Sequence, residues 1–194
     1  GNARGCKDAI YVAVGTGMGA GILIDGTILR GSHDIAGSIG WMALDKPFRD
    51  KYISCGCFEY FASGDGIAKL THELLEEDKS YKGILLNEQD NLTAHQVFEA
   101  YEKGDALASR VFNECVQYWG MAVANLISIF NPEKIIFGGG VFGPGLKFLE
   151  RIEEQARKWA QPISITQVSF EPSGLHGDAA IYGAGFLALK HIQK

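Results

Sequence analysis

The chain has 194 residues, 46% hydrophobic and 21% charged, enough for one large domain or two small ones with a substantial core. A net charge of −5 argues against a nucleic-acid surface, which carries a basic face. No apolar run approaches a membrane span and no signal peptide precedes the first apolar run, and the cysteines Cys6, Cys55, Cys57 and Cys115 are few, so a reducing, cytoplasmic setting is expected.

The opening Gly-Asn-Ala-Arg-Gly has no initiating Met and reads as the start of a fragment. The apolar run 9–14 is expected as a strand. It leads into Val14-Gly15-Thr16-Gly17-Met18-Gly19-Ala20-Gly21, read as a sharp glycine turn, and then a second strand, 22–24. Asp25-Gly26 marks a hairpin, because a type I′ turn needs positive φ. Thr27 to Arg30 completes a meander. Glycines at a strand turn expose N–H groups, Thr16 adds a hydroxyl, and such a concavity suits a phosphate; alternatively the glycines only make a tight turn.

Residues 31–40 form a polar, glycine-rich loop with the composition of a ligand-facing loop or a plain surface one. A short strand is expected over 39–44, an exposed charged segment over 45–54, and a helical stretch opening at Cys55-Gly56-Cys57-Phe58-Glu59. Residues 65–75 are amphipathic, with Ile67, Leu70, Leu74 and Leu75 on one side. The polar segment 76–91 is expected to be irregular. Thr93-Ala94-His95-Gln96 is a capping box that starts a helix ending at Gly104. Residues 105–131 are the longest periodic segment, with a buried stripe of Leu107, Val111, Cys115, Trp119, Val123 and Ile127, stopped by Pro132. A buried strand over 134–137, the glycine turn Gly138-Gly139-Gly140-Val141 and a helix over 146–160 indicate a parallel unit. A strand is expected over 163–170 and a last helix over 178–192, whose Ala179, Ala180, Gly183, Ala184 and Gly185 permit close packing against a neighbour.

This order predicts an α/β fold of the ribonuclease-H-like, actin-like ATPase type, one lobe with a mixed sheet flanked by helices. In such a lobe the first hairpin turn faces a nucleotide's phosphates and the later strand-to-helix turn its adenosine end. Both glycine-rich turns fall where that layout needs them.

The motifs Gly15-Thr16-Gly17-Met18-Gly19-Ala20-Gly21 with Asp25-Gly26, Arg30-Gly31, Ala36-Gly37, Gly56-Cys57-Phe58-Glu59, Asn131-Pro132, Ile136-Phe137-Gly138-Gly139-Gly140-Val141 and Gly177-Asp178-Ala179-Ala180 span nearly the whole chain. The chain resembles the C-terminal domain of the ROK family of repressors, reading frames and sugar kinases. The resemblance implies that residues 1–194 are the C-terminal domain of a longer protein. It implies an ATP- and Mg²⁺-dependent hexose-type kinase whose general-base Asp lies in an N-terminal lobe, so that the chain given is incomplete for catalysis. Gly15, Thr16 and Gly17 would meet the phosphates, and Gly138, Gly139, Gly140 and Val141 would pass beside adenine and ribose. A homodimer is implied, with no membrane and no nucleic-acid contact through this domain. The alternative is the non-catalytic sugar-sensing domain of a repressor; a scaffold that keeps its glycine turns as relics is a third reading.

Where family kinases read Glu-x-Gly-His this chain reads Ser38-Ile39-Gly40-Trp41. Ser38 offers a short neutral hydrogen bond. Trp41 is read first as core filler, otherwise as a plate for a sugar face. Asp34 is read as a solvated turn acid and not as a base. Of the family's zinc cysteines only Cys57 aligns; two others fall on Asp50 and Tyr52, and Cys55 is extra. Cys55, Cys57 and His33 would be one ligand short of a structural zinc site. Metal analysis of the purified chain is therefore expected to find no stoichiometric zinc; one zinc per chain would overturn this reading.

Overall fold

The structure, a computed structural model, describes residues 1–192. Strand β1 (Ala9–Val14) pairs antiparallel with β2 (Met18–Ile24), and β2 with the short β3 (Thr27–Ile28). On its other side β1 pairs in parallel with β4 (Lys134–Gly138), and β4 with β5 (Ser169–Pro172). The sheet order is β3-β2-β1-β4-β5, a mixed sheet centred on the first strand. The hairpin register sets Val14 opposite Met18, so the turn is only Gly15-Thr16-Gly17. Met18 to Gly21, expected in the turn, are strand residues, because the ladder continues to the last residue that still has a partner. Asp25 and Gly26 close the next hairpin with φ of 47° and 72°, as the Asp-Gly signal requires.

Between the meander and β4 come α1 (Cys57–Ala62), α2 (Gly64–Glu77), α3 (Ala94–Glu102) and α4 (Ala106–Phe130). The stripe from Leu107 to Ile127 is buried throughout, so α4 is the central strut of the core. Trp119 Nε1–H donates to the Ala62 carbonyl at 2.9 Å and the Cys115 thiol to the Phe61 carbonyl at 3.5 Å. These bonds satisfy carbonyls at the end of α1 inside the core, where leaving them unpaired would cost about 1–3 kcal/mol each. Phe112 and Phe148 add aromatic contacts against Phe98 and Tyr101 of α3. The Thr93–Gln96 capping box forms, with Thr93 N–H donating to Gln96 Oε1 at 2.7 Å. Asn131 ends α4 in the left-handed region at φ 44°.

Five segments depart from the sequence expectation. Residues 39–44 form no strand: Ile39–Trp41 is a 3₁₀ turn closed by local bonds, Trp41 N–H to the Ser38 carbonyl and Met42 N–H to the Ile39 carbonyl. Tyr52, in the segment expected to be exposed, is buried against Tyr60 and Phe61. Residues 84–91, expected to be irregular, form a 3₁₀ helix. The helix expected over 146–160 begins as a 3₁₀ turn, Pro144–Phe148, and is α-helical only as α5 (Leu149–Arg157). The strand expected over 163–170 is delayed to β5, because the Gln161 side chain accepts the N–H groups of Ile163 and Ser164 at 2.7 and 2.8 Å and winds the start into a turn. The last helix is α6 (Ala179–Ile192).

Asp105 caps α4, its Oδ1 accepting from Leu107 and Ala108 N–H at 2.9 and 3.0 Å, while Oδ2 accepts from the Tyr81 hydroxyl at 2.6 Å. Asp105→Ala is expected to lower stability by about 1–2 kcal/mol in urea unfolding, the usual worth of such a cap. A loss below a few tenths of that would show that the cap is redundant.

Candidate functional site

The site is built on the Gly15-Thr16-Gly17 turn at the end of β1. Gly15 N–H closes the turn onto the Gly17 carbonyl at 2.8 Å. The start of α2 docks on its other side: Gly64 N–H donates to the Gly15 carbonyl at 2.7 Å and Asp65 N–H to the Thr16 carbonyl at 3.1 Å. A Cβ at Gly64 would sit 2.8 Å from the Gly15 oxygen, so this approach needs glycine. Ser63 caps the same helix, its hydroxyl accepting from Gly66 N–H at 3.0 Å. Glu59 on α1 holds the far end, accepting Met18 N–H at 2.7 Å, with a Cβ at Gly17 falling 2.9 Å from its Oε2. Among the described residues, the N–H groups of Thr16 and Gly17 have no protein acceptor. Two adjacent N–H groups held on three sides are donors of the kind an anion can accept from.

The second glycine turn reaches the same place. Val141 N–H donates to the Val14 carbonyl at 3.0 Å, and Gly139, at φ 89°, leaves no room for a Cβ against that carbonyl. A cleft of about 420 Å³ results, lined by Gly15, Thr16, Asp65, Ala68, Gly140 and Val141. Its far wall is Leu92 to His95 with Phe98, the start of α3. Of the residues predicted for nucleotide, Gly15, Thr16, Gly140 and Val141 line the cleft directly. Gly138 is a strand residue and Gly139 packs on β1, so both support the turn from behind. Phe142, the residue after Val141, is core, against Trp119 and Phe137. Asp65 and the wall at 92–95 are not singled out by the sequence; the capping box places a helix there but not its partner across the cleft.

Ser38 and Trp41 do not line the cleft; their segment runs along β2. Gly37 accepts Ala20 N–H at 2.7 Å, and its φ of 93° and the Ala20 carbonyl against it exclude a side chain. Gly40 abuts Glu59 and Met18. Trp41 is 60% exposed, so the core-filling reading is overturned: the 3₁₀ turn buries Ile39 and Gly40 and leaves the indole outside. Ser38 Oγ donates to the Ile35 carbonyl at 2.8 Å. Asp34 is exposed and pairs with Arg30 at 2.6 Å, the solvated role expected of it.

Cys57 is buried, and burial raises its thiol pKa; Cys55 is half-buried, and both are free. Among the described residues, no group of three or more His, Cys, Asp or Glu is placed to hold a metal ion. The residues around Asp50 and Tyr52 are held by protein contacts. They tie the segment down: Lys51 Nζ pairs with Glu73 at 2.6 Å and lies 4.6 Å over the Tyr60 ring, while the Tyr60 hydroxyl donates to Glu73 at 2.6 Å. No helix of the described residues is long and apolar enough to cross a membrane.

The ROK family model matches residues 1–191. A glucokinase of Halalkalibacterium halodurans is 36% identical over 94% of this chain and 56% of its own length. A xylose repressor of Caldicellulosiruptor bescii is 31% identical over 91% of this chain and 45% of its own. The crystal structure of a ROK family glucokinase from Streptomyces griseus, in complex with glucose and AMPPNP, superposes with a TM-score of 0.78 at 27% identity, covering 94% of this chain and 61% of that one. The chain thus spans about half the length of these relatives.

The Tyr52 hydroxyl donates to Asp45 at 2.7 Å and holds that carboxyl below its ordinary pKa, helped by Lys46 N–H, Arg49 and Lys51 and opposed by burial. A folded pKa below the unfolded one stabilises above the unfolded value and loses that stability as pH falls through the folded value. Tyr52→Phe is therefore expected to cost about 1 kcal/mol at neutral pH, a difference that shrinks below about pH 4. Urea midpoints of both proteins at pH 7 and pH 3 check it; a gap that does not change with pH would remove the ionic contribution.

Proposed function

The chain belongs to the ROK family, and on that premise we propose that it is the C-terminal, nucleotide-side domain of an ATP-dependent sugar kinase of the glucokinase type. The observation that carries this reading is the cleft into which both glycine turns open, with Thr16, whose N–H has no protein acceptor, at one end and the apolar wall of Leu92 and Val141 further along. A nucleotide needs this pairing: an anion site for phosphates, and an apolar slot for a base. That the similar glucokinase binds glucose and AMPPNP supports it.

In this reading Gly15, Thr16 and Gly17 hold the outer phosphates, and Gly140 and Val141 flank the nucleoside, with Gly138 and Gly139 shaping the turn. Asp65 is the carboxylate of the cleft lining that would share Mg²⁺ with phosphate oxygens, a cation that favours one or two carboxylates plus phosphates and spreads the charge of the transferring group. Ser38 and Trp41, across the turn from the cleft, form the sugar side, where an exposed indole offers a face to stack on. The base that deprotonates the sugar hydroxyl belongs to an N-terminal lobe outside this chain. Phosphoryl transfer is then mostly positioning and charge stabilisation. A cytoplasmic homodimer without nucleic-acid contacts through this domain belongs to the same reading, as does the absence of a zinc site.

A second reading, the sugar-sensing domain of a repressor, is favoured by one observation. The sugar flank carries a serine already bonded to Ile35 and a tryptophan where kinases of the family carry a glutamate and a histidine.

Thr16→Val removes one hydroxyl from the phosphate end and leaves the backbone cradle. AMPPNP affinity of the whole protein is expected to fall roughly 10-fold, about 1.4 kcal/mol, with an unchanged circular dichroism spectrum. Equal affinity would strip Thr16 of its phosphate role. Sugar-dependent ADP release across hexoses and N-acetylated sugars then separates kinase from sensor: a folded, sugar-binding protein without turnover is the sensor.

A further inference from the structure

The cleft is apolar where its lining is buried and polar where its lining is wet. Leu92, Phe98 and Val141 line it away from the phosphate turn and are buried. Ala68 and Pro144 add apolar side chains to the lining. Thr93 and His95, at the start of α3, line it too and are exposed. A planar base laid against Leu92, Phe98 and Val141 covers apolar surface with its faces. Its polar edge, where it meets Thr93 and His95, keeps its water.

The polar groups of this lining are largely committed to the protein itself. Val141 N–H donates to the Val14 carbonyl at 3.0 Å, the Val141 carbonyl accepts Gly145 N–H at 2.9 Å, and the Gly140 carbonyl accepts Gly143 N–H at 3.3 Å. Thr93 gives both its N–H and its hydroxyl proton to Gln96 Oε1, at 2.7 and 2.5 Å, so the capping box that starts α3 takes the proton a base could have met. Thr16 and Asp65 belong to the phosphate turn and its docked helix. Among the described residues, the polar lining side chain that remains is His95, whose side chain is 81% exposed and whose Nε2 lies 3.3 Å from Glu99. The lining N–H groups of Ala94, His95 and Gly140 are donors, and every purine offers donors the same two acceptors, N3 and N7, whatever it carries at the 2- and 6-positions.

We infer that this cleft selects a base by its faces and not by its edge, so that guanine nucleotides enter it as readily as adenine nucleotides and its ligand class is the purine nucleoside triphosphate. The inference rests on the reading of the cleft as a nucleotide site. A site built to bond one particular group rejects the analogue that lacks it by about 10⁴-fold, because its own polar atoms are then stranded, whereas an apolar pocket separates near-isosteres by only about 10- to 200-fold. Adenine and guanine share one ring skeleton, and the atoms that differ between them stay hydrated here, which puts the difference at the low end of that range. A pyrimidine, with one ring, covers less of Leu92, Phe98 and Val141 and is the base this lining disfavours.

Calorimetric titration of the whole protein with AMPPNP, GMPPNP and UMPPNP, each with Mg²⁺, tests it. The two purine analogues are expected to bind within about 10-fold of each other, and UMPPNP roughly 10-fold or more below both. His95→Ala is expected to shift the two purine affinities together, with their ratio held within about 3-fold. A wider gap between AMPPNP and GMPPNP overturns the inference and leaves the nucleotide reading standing, because it requires a group that reads the edge. A ratio that changes more than that in His95→Ala overturns it as well and names the reader. UMPPNP bound as tightly as the purines overturns it by showing that the base is not held on the apolar lining. No binding of any of the three overturns it together with the nucleotide reading.

Discussion

The docking of α2 on the β1–β2 turn is the contact on which the site depends. Two backbone N–H groups, from Gly64 and Asp65, meet two carbonyls, from Gly15 and Thr16. That pairing uses the Gly15 and Thr16 carbonyls and leaves the Thr16 and Gly17 N–H groups without a protein acceptor among the described residues. A flexible glycine turn in water would have to be ordered by its ligand, at about 1–2 kcal/mol per residue. Here the ordering has been done by the fold. The chain of support is continuous: Trp119 and Cys115 of α4 hold the end of α1, α1 presents Glu59 to Met18, and α2 follows α1 after Ser63. The long helix thereby supports the turn through α1 and α2.

The same turn separates two environments. On one flank the cleft runs to Val141 and the start of α3; on the other, residues 37–41 lie along β2 and close against Glu59. A protein that moves a phosphoryl group between a nucleotide and a second molecule needs this arrangement, with the transferred group at the boundary. A sensor that inherited the architecture would keep the boundary and lose the chemistry. The family to which the chain belongs contains both glucokinases and repressors, which is why the fold alone cannot choose between them.

Much of the architecture is legible in local pattern. The period of α4, its Asp105 and Pro132 boundaries, the Asp25-Gly26 hairpin and the capping box at Thr93 all concern neighbours within a few residues, where propensity and spacing act directly. The errors arose where a distant group decides. At Ile39 a 3₁₀ turn replaces a strand: only Gly37 bonds to the edge of β2, because the next outward N–H on that edge, Met18, is taken by Glu59. The delayed start of β5 comes from the side chain of Gln161. Tyr52 is buried because Tyr60 and Phe61, on a helix, come back over it.

By itself the sequence determined the mixed α/β order, the two glycine turns and the family motifs that tie them to one fold, since glycine at a positive φ or against a carbonyl is a local requirement with no substitute. Only the tertiary structure decided which of those glycines line the cleft and which allow close packing: Gly138 and Gly139 are packing residues, Gly15 and Gly140 line the cleft. It also decided that Trp41 is outside, that Asp65 and the start of α3 complete the cleft, and that Ile181, Tyr182, Leu187 and Leu189 of α6 are exposed. Each of these depends on what lies across space from a residue. Spacing along the chain carries no record of that, because the partners are brought together by burial of the α4 stripe and not by their own local preferences.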